Sequence, residues 1–489
     1  MRQLSSFDAM MLYSDNAHTP MHVAPFFIYD QSTAPGGVVR FKDILRLIEQ
    51  RLHLAPIMRQ KPLRVPLDLD SPYWVDDPDF DLESHVRHVA LPKPGDRRQL
   101  SILLSRIHTY PMDLDRAPWD AYVIEGLDNV SGIPKGSFGL LLRIHHAAID
   151  GASGHAILRV LHDLEPKPVG GQAGNAWNAR RLPTRSQLLR RAAQSVVTKP
   201  RKIVKLAVRV NPILRAVRDV KKRFPGEQRR VPDTRFSGKI SPHRVVVLCS
   251  LDLHAIRAAK KAIPEATVND AIVSIVAGAM RRYLLAKGEL PGESLSTVMP
   301  INIRNEAEKK TAEGNVVSIT TLNMHSDMED PIERMLAIHR SAEYAKAYHN
   351  AIGARIMSDV AEAIPAGLAS AGIRAAASAG FAKIPANTIV TNVPGAQVPL
   401  YLAGAKVVEF HALGILLDGL GLFHAVNSYC GQIAITVLAD RKMMPDPDFY
   451  EACLRASFDD FCAAAARAAA KPGCPAVSGT PAETRPTTA

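Results

Sequence analysis

A mixed α/β (α+β) fold in two domains is the class this sequence predicts, on three observations. First, 489 residues with 47 % hydrophobic content exceed what one core usually holds. Second, short apolar runs that suit strands alternate with stretches whose apolar residues recur at helical spacing. Third, the chain changes character near Gly170, where Gly170-Gly171-Gln172-Ala173-Gly174-Asn175 opens a strongly basic stretch. The expected division is a first domain over 1–170, a basic helical linker over 171–233, a second domain over 234–470 and a disordered tail over 471–489.

Taken in order, Phe26-Phe27-Ile28-Tyr29 after Pro20 reads as a strand of core material, and Phe41 to Leu54 as a helix through Ile44, Leu45, Leu47 and Ile48. Tyr73-Trp74-Val75 and the run opened by His85 are further strands, Leu100 to His108 a helix, and Ala121 to Ile124 a strand. Phe138 to Ile144 is short and apolar, which suits a buried strand, and apolar residues beyond Gly151 (Ile157, Leu158, Leu161, Leu164) keep close to helical spacing. In the second half, Arg244 to Leu248 is a strand. Thr267 caps a helix carrying Ile272, Ile275, Val276, Met280 and Leu284. Val298 to Arg304 is a strand running into a loop, and Asn392-Val393-Pro394-Gly395 is by local chemistry a turn.

The charge of +12 is concentrated. Residues 180–230 hold 17 Lys/Arg against Asp219 and Glu227, so the remainder of the chain is slightly acidic. Apolar residues recur there at Leu188, Ala192, Val196, then Ile203, Leu206, Val210, then Leu214, Val217, with Pro200 and Pro212 cutting the pattern into three short amphipathic helices. Solvated interdomain helices and a surface for anionic membrane or lipid droplets both fit. Nucleic acid is disfavoured, because the aromatic residues that stack on bases are missing. The five cysteines, Cys249, Cys430, Cys453, Cys462 and Cys474, show no paired spacing, which points to reduced thiols in the cytoplasm. The N-terminus lacks the apolar core of a secretory signal. The longest alanine-rich run, Ala361 to Ala382, is interrupted by Pro365 and Arg374, so peripheral association is the only membrane contact expected.

The chemistry concentrates in His145-His146-Ala147-Ala148-Ile149-Asp150-Gly151, at a strand end before a helix. Imidazole titrates near pH 6.5 and can take and return a proton at neutral pH. A buried histidine can equally be a satisfied core residue, and a His-His-Asp set can bind metal, although no second ligand cluster accompanies it. Asn269 and Asp270 fall in the first turn of the helix capped by Thr267. There they either cap the helix or meet an oxyanion at its positive end. Neither an activated serine nor a cysteine elbow is apparent, which favours direct transfer over a covalent acyl-enzyme.

The heptapeptide matches HHxxxDG and resembles the bacterial wax ester synthase/diacylglycerol acyltransferase family, within the coenzyme A-dependent acyltransferase superfamily. Leu4-Ser5 with Asp8, Pro20-Met21-His22-Val23, the segment ending Pro118-Trp119, the Asn269-Asp270 pair, Gly314-Asn315-Val316 and Thr391 to Gly395 resemble further family segments, in the family's order. The resemblance implies two chloramphenicol-acetyltransferase-like domains forming a pseudo-dimer with a tunnel between them. It also implies O-acyl transfer from acyl-CoA to a long-chain alcohol or diacylglycerol. His146 is then the base, His145 shapes the site, Asp150 and Gly151 fix the turn, Asn269 steadies the oxyanion with Asp270 beside it, and Arg304 pairs with Asp150. Acyl-CoA is a co-substrate, no cofactor is bound permanently, and no metal is expected. The alternatives are a carrier-dependent condensation-type acyltransferase and a catalytically inactive lipid-surface binding protein.

Overall fold

The computed structural model describes residues 1–149, 151–167, 178–194, 215–227, 230–302, 317–352, 372 and 386–470. Strands are numbered along the chain. In the first half they are β1 (Arg2–Gln3), β2 (His22–Asp30), β3 (Gln60–Leu63), β4 (Tyr73–Asp76), β5 (Val86–Ala90), β6 (Trp119–Glu125) and β7 (Phe138–His145). In the second half they are β8 (Arg244–Asp252), β9 (Ser296–Asn302), β10 (Val317–Asn323), β11 (Thr388–Pro394), β12 (Tyr401–Leu402), β13 (Ala405–Leu413), β14 (Leu422–Tyr429) and β15 (Gln432–Asp440).

Two six-stranded sheets carry the architecture, ordered β12-β13-β2-β7-β6-β5 and β10-β9-β11-β14-β15-β8, with β1-β4-β3 as a small third sheet. Most neighbours are antiparallel; β5 runs parallel to β6, and β11 runs parallel to both β9 and β14. Helices lie against these sheets, which makes the fold mixed α/β as expected.

The halves are not independent in the sheets. β12 and β13, from the second half of the sequence, form one edge of the first sheet, with β13 antiparallel to β2. Alternation along β2 explains how both sides are held. Phe27 and Tyr29 enter one core with Ile44, Ile48 and Leu140, while Ala24, Phe26 and Ile28 enter the other with Leu100, Leu104 and Leu248. Phe26 lies so close to Gly139 on β7 that a Cβ there would come within 2.7 Å of its ring, so that position requires glycine. The helix Arg97–Thr109 packs on β8, and its Arg97 donates to Glu409 of β13 at 3.0 Å. Each large apolar side chain sealed in such a seam contributes roughly 1.5–3 kcal/mol, so the seam is structural.

One local reading is overturned. Asn392, Val393 and Pro394 do not form a turn but end β11, in parallel register with Val426 to Ser428 of β14. The partner that makes this a strand lies more than thirty residues downstream, beyond the reach of any local signal. Of the basic stretch, the described parts are helical over 185–194 and 215–223; residues 195–214 lie outside the described residues, as do 361–371, 373–382 and the tail beyond Ala470. The first of these helices docks Leu188 and Ala192 on Val65, Tyr73 and Val75.

Candidate active site

β7 is buried along all eight residues and delivers His145 as its last member. A single 3-10 turn, His146–Ala148, follows, and the helix Gly151–Leu161 starts two residues after it. The turn is pinned from both sides. The His145 N–H donates to the Pro118 carbonyl at 3.0 Å, and the His146 N–H to the Met21 carbonyl at 2.7 Å. His145 also uses its ring locally: Nδ1 accepts the N–H of Ala147 at 3.2 Å.

Below the turn lies a buried charge pair that fixes the end of the strand. Arg143 donates to both oxygens of Asp120 on β6, at 2.7 and 2.5 Å, and to the carbonyls of Ile107 and Tyr110, each at 2.7 Å. A guanidinium so enclosed is tolerable only because each of its three nitrogens meets an acceptor. Beside it, His22 is the antiparallel partner of His145. His22 Nε2 lies 2.8 Å from the His108 carbonyl, and His108 Nε2 lies 2.9 Å from the Gly414 carbonyl. A carbonyl only accepts, so both rings carry the proton on Nε2.

The electrostatics follow from dehydration. Burial, with the neighbouring His146 adding repulsion, drives His145 down to about 3. Burial likewise lowers His146, partly opposed by its own backbone carbonyl. Burial also takes His108 down to about 3 and places His22 well below its ordinary value. All four rings are therefore neutral at pH 7. His145 is sealed, whereas His146 is only half-buried, with the Phe7 ring roughly perpendicular to it and the two ring centres 6.5 Å apart. The His146 Nδ1 and the His145 Nε2 have no hydrogen-bond partner among the described residues.

The second candidate cluster opens the helix Val268–Ala286. Thr267 is its N-cap, as expected: Thr267 Oγ1 accepts the Asp270 N–H at 3.2 Å and Asp270 Oδ2 accepts the Thr267 N–H at 2.8 Å. Asp270 also accepts from His339 Nδ1 at 2.9 Å. Its carboxylate is therefore committed to the scaffold. Asn269 differs. Its Oδ1 accepts from Asn392 at 3.3 Å, while among the described residues its Nδ2 faces only the Met299 sulfur at 3.9 Å, a weak acceptor. It lines a cavity of about 370 Å³ with Asn392, Met299, Leu322, Ala345 and Lys346.

The structure thus brings His145 and His146 together and places Asn269 and Asp270 on one helix start. Among the described residues, no hydrogen bond, ion pair or ring contact joins the two clusters. Gly151 opens its helix; Asp150 and Arg304 lie outside the described residues. Sequence reasoning missed His22, His108, Arg143 and Asp120, whose partners are 23 to 306 residues away along the chain. Only the PMHV segment, which contains His22, carried a trace of them. Among the described residues, no group of three His, Cys, Asp or Glu is arranged to hold a metal.

Comparison with known proteins decides the family. The wax ester synthase/diacylglycerol acyltransferase catalytic domain matches residues 4–272, and the C-terminal domain of the same family matches residues 313–461. The chain belongs to this family. It is an acyltransferase. A Mycobacterium tuberculosis protein named as a candidate diacylglycerol O-acyltransferase is 33 % identical over 485 residues, covering 96 % of this chain and 99 % of the relative. A second such protein from that species is 31 % identical over 459 residues, covering 91 % and 87 %. Among solved structures, the wax ester synthase/diacylglycerol acyltransferase of Marinobacter aquaeolei VT8 superposes with a TM-score of 0.67 at 24 % identity, covering 95 % of this chain and all of that one. A starter condensation domain of rhizomide synthetase, solved with C8-CoA and Leu-SNAC, superposes with a TM-score of 0.55 at 15 % identity, covering 95 % and 94 %. These likenesses establish the two-domain acyltransferase fold. Among the described residues, no helix is long and apolar enough to cross a membrane.

Proposed function

We propose that this acyltransferase moves a long-chain acyl group from acyl-CoA to the hydroxyl of a long-chain alcohol or a diacylglycerol, by direct attack with His146 as general base. The observation that carries the reading is the neutral, half-buried imidazole of His146, held at a strand end and without a hydrogen-bond partner at Nδ1 among the described residues. An alcohol scarcely ionises at neutral pH, so its proton must leave as its oxygen attacks. A neutral imidazole takes that proton, the oxygen bonds to the thioester carbon, and the carbonyl oxygen becomes an oxyanion. Collapse expels the coenzyme A thiolate, which collects the proton from His146. A positioned base of this kind contributes about 10²–10⁴-fold.

Asn269 supports the reading from the other cluster. An amide nitrogen with only a thioether opposite is a donor in reserve, at a helix N-terminus where negative charge is favoured. The cavity beside it would receive the thioester arm. The apposition of the clusters across a tunnel belongs to this proposal, as do the roles of Asp150 and Gly151 in fixing the turn and the pairing of Asp150 with Arg304.

The same proposal includes peripheral contact with an anionic membrane or lipid inclusion through 180–230. The helix at 185–194 buries Leu188 and Ala192 inward and stacks Arg191 over Tyr73, while Leu189 on it and Leu182 just before it are each 40 % exposed among arginines. Exposed leucines among cations suit an anionic interface.

The test is product analysis with labelled palmitoyl-CoA offered hexadecanol and dioleoylglycerol together. Wax ester or triacylglycerol should form in step with free coenzyme A, and the ratio names the preferred acceptor. Turnover only with a carrier-bound thioester would favour the condensation-type reading; no turnover with any alcohol would favour a binding protein.

A further inference from the structure

The loop between the helix Ser6–Ser14 and β2 has a carboxylate at its start that the catalytic reading above does not use. Asp15 caps the C-terminal end of that helix, and its side chain is only 10 % exposed. One oxygen, Oδ1, accepts the N–H of Met21 at 2.8 Å; the other, Oδ2, lies 3.9 Å from Nε2 of His145. Met21 in turn offers its carbonyl to the N–H of His146. One short loop therefore touches both histidines of the turn, one through a side chain and one through backbone.

The hydrogen bonds fix where the His145 proton sits. Its Nδ1 accepts the N–H of Ala147, so that nitrogen carries a lone pair. A neutral ring must then hold its proton on Nε2, the nitrogen that is buried and without a hydrogen-bond partner among the described residues. Its facing acceptor is the Asp15 carboxyl. A carboxylate facing an imidazole N–H holds the ring in one tautomer and one orientation. Burial raises Asp15 to about 6, opposed by the N–H groups of Met21 and Asn16, so at pH 7 it is ionised and ready to accept.

We propose that Asp15 is a positioning residue: it holds His145 in the Nε2–H tautomer, which keeps Nδ1 on the Ala147 N–H and so sets the turn that presents His146. This rests on the reading of His146 as the base. It also excludes His145 from that role, since its lone pair is spent on the backbone and its proton points at a carboxylate. Asp15→Asn is the informative change. The amide oxygen can still accept from Met21, but an NH₂ then faces the Nε2–H, donor against donor.

The experiment combines a spectrum and a rate. With nitrogen-15 histidine, and His145→Gln to assign the signal, the parent should show His145 as the Nε2–H tautomer, and Asp15→Asn should lose that single state. In acyl transfer from palmitoyl-CoA to hexadecanol, Asp15→Asn should lower kcat roughly 10–100-fold, the size seen when the partner orienting a ligating histidine is lost. KM for palmitoyl-CoA should stay put, and Asp15→Glu should recover part of the loss. A parent His145 protonated on Nδ1, an unchanged tautomer in Asp15→Asn, or parental kcat in that variant would each overturn the proposal. The tautomer readout in the parent and in Asp15→Asn needs no turnover, so it tests this point even if the proposed reaction proves wrong.

Discussion

The two histidines at the end of β7 and the Asn269-Asp270 pair at the start of the helix Val268–Ala286 make opposite use of their polar atoms. At the first, buried nitrogens of His145 and His146 lack hydrogen-bond partners among the described residues, and the turn is held by backbone. At the second, Asp270 accepts from Thr267 and His339 through one oxygen, while the Asn269 amide nitrogen meets only a weak acceptor among the described residues. An unsatisfied buried polar atom costs about 1–3 kcal/mol, so it persists where something else is gained from it. The contrast teaches that adjacent residues of one motif can divide the labour, Asp270 building the helix and Asn269 serving the cavity, and that His145 and His146 do the same.

The largest expected effect lies beneath the first region. Asp120→Ala would strand the Arg143 guanidinium in the core and destabilise the protein by about 3–5 kcal/mol, measured by denaturant unfolding. A loss below 1 kcal/mol would mean that the strand end does not depend on that pair. Next comes the division within the helix start. Asn269→Ala should lower kcat by about 10²–10³ with little change in stability, as expected for one oxyanion donor. Asp270→Ala should do the reverse, costing about 1–3 kcal/mol from the lost cap and the unpaired His339 while a folded sample keeps kcat within a few-fold. Equal effects of the two substitutions would erase the distinction.

The smallest effect per step is with pH. His108, His145 and His424 sit at about 3 and His162 at about 4 in the fold, against 6.5 when unfolded. The unfolded chain therefore binds more protons in acid, so stability is complete above about pH 6.5 and is lost as pH falls toward the folded values. The slope approaches about 1.4 kcal/mol per pH unit for each such histidine. Asp15, raised to about 6, runs the other way and offsets part of the loss between its unfolded and folded values. A pH series of thermal melts checks the sign. Burial lowers His146, so its protonation should not limit activity at pH 6.5; the acid limb should instead follow Asp15, raised to about 6.

What could be read from the sequence alone was local. The strand, turn and helix around His145 to Gly151 follow from an apolar run, a polar break and renewed helical spacing; Thr267 as a cap follows from residue type and position. The rest depended on distant partners. Nothing near Asn392 reveals that β14 makes it part of a strand, and nothing near β13 reveals that it completes the sheet of the other half. Asp15 was invisible for the same reason: a carboxylate after a helix is ordinary until the fold puts His145 opposite it. The family resemblance carried the acyltransferase reading, and the geometry then showed which polar atoms are tied into the scaffold.

The most direct measurement is coenzyme A thiol release from palmitoyl-CoA and hexadecanol, compared between the parent and His146→Ala, with thermal melting to show that both are folded. Loss of the base predicts a fall in kcat of about 10²–10⁴-fold with the fold intact. Thiol release at the parental rate from a folded His146→Ala protein would contradict the account.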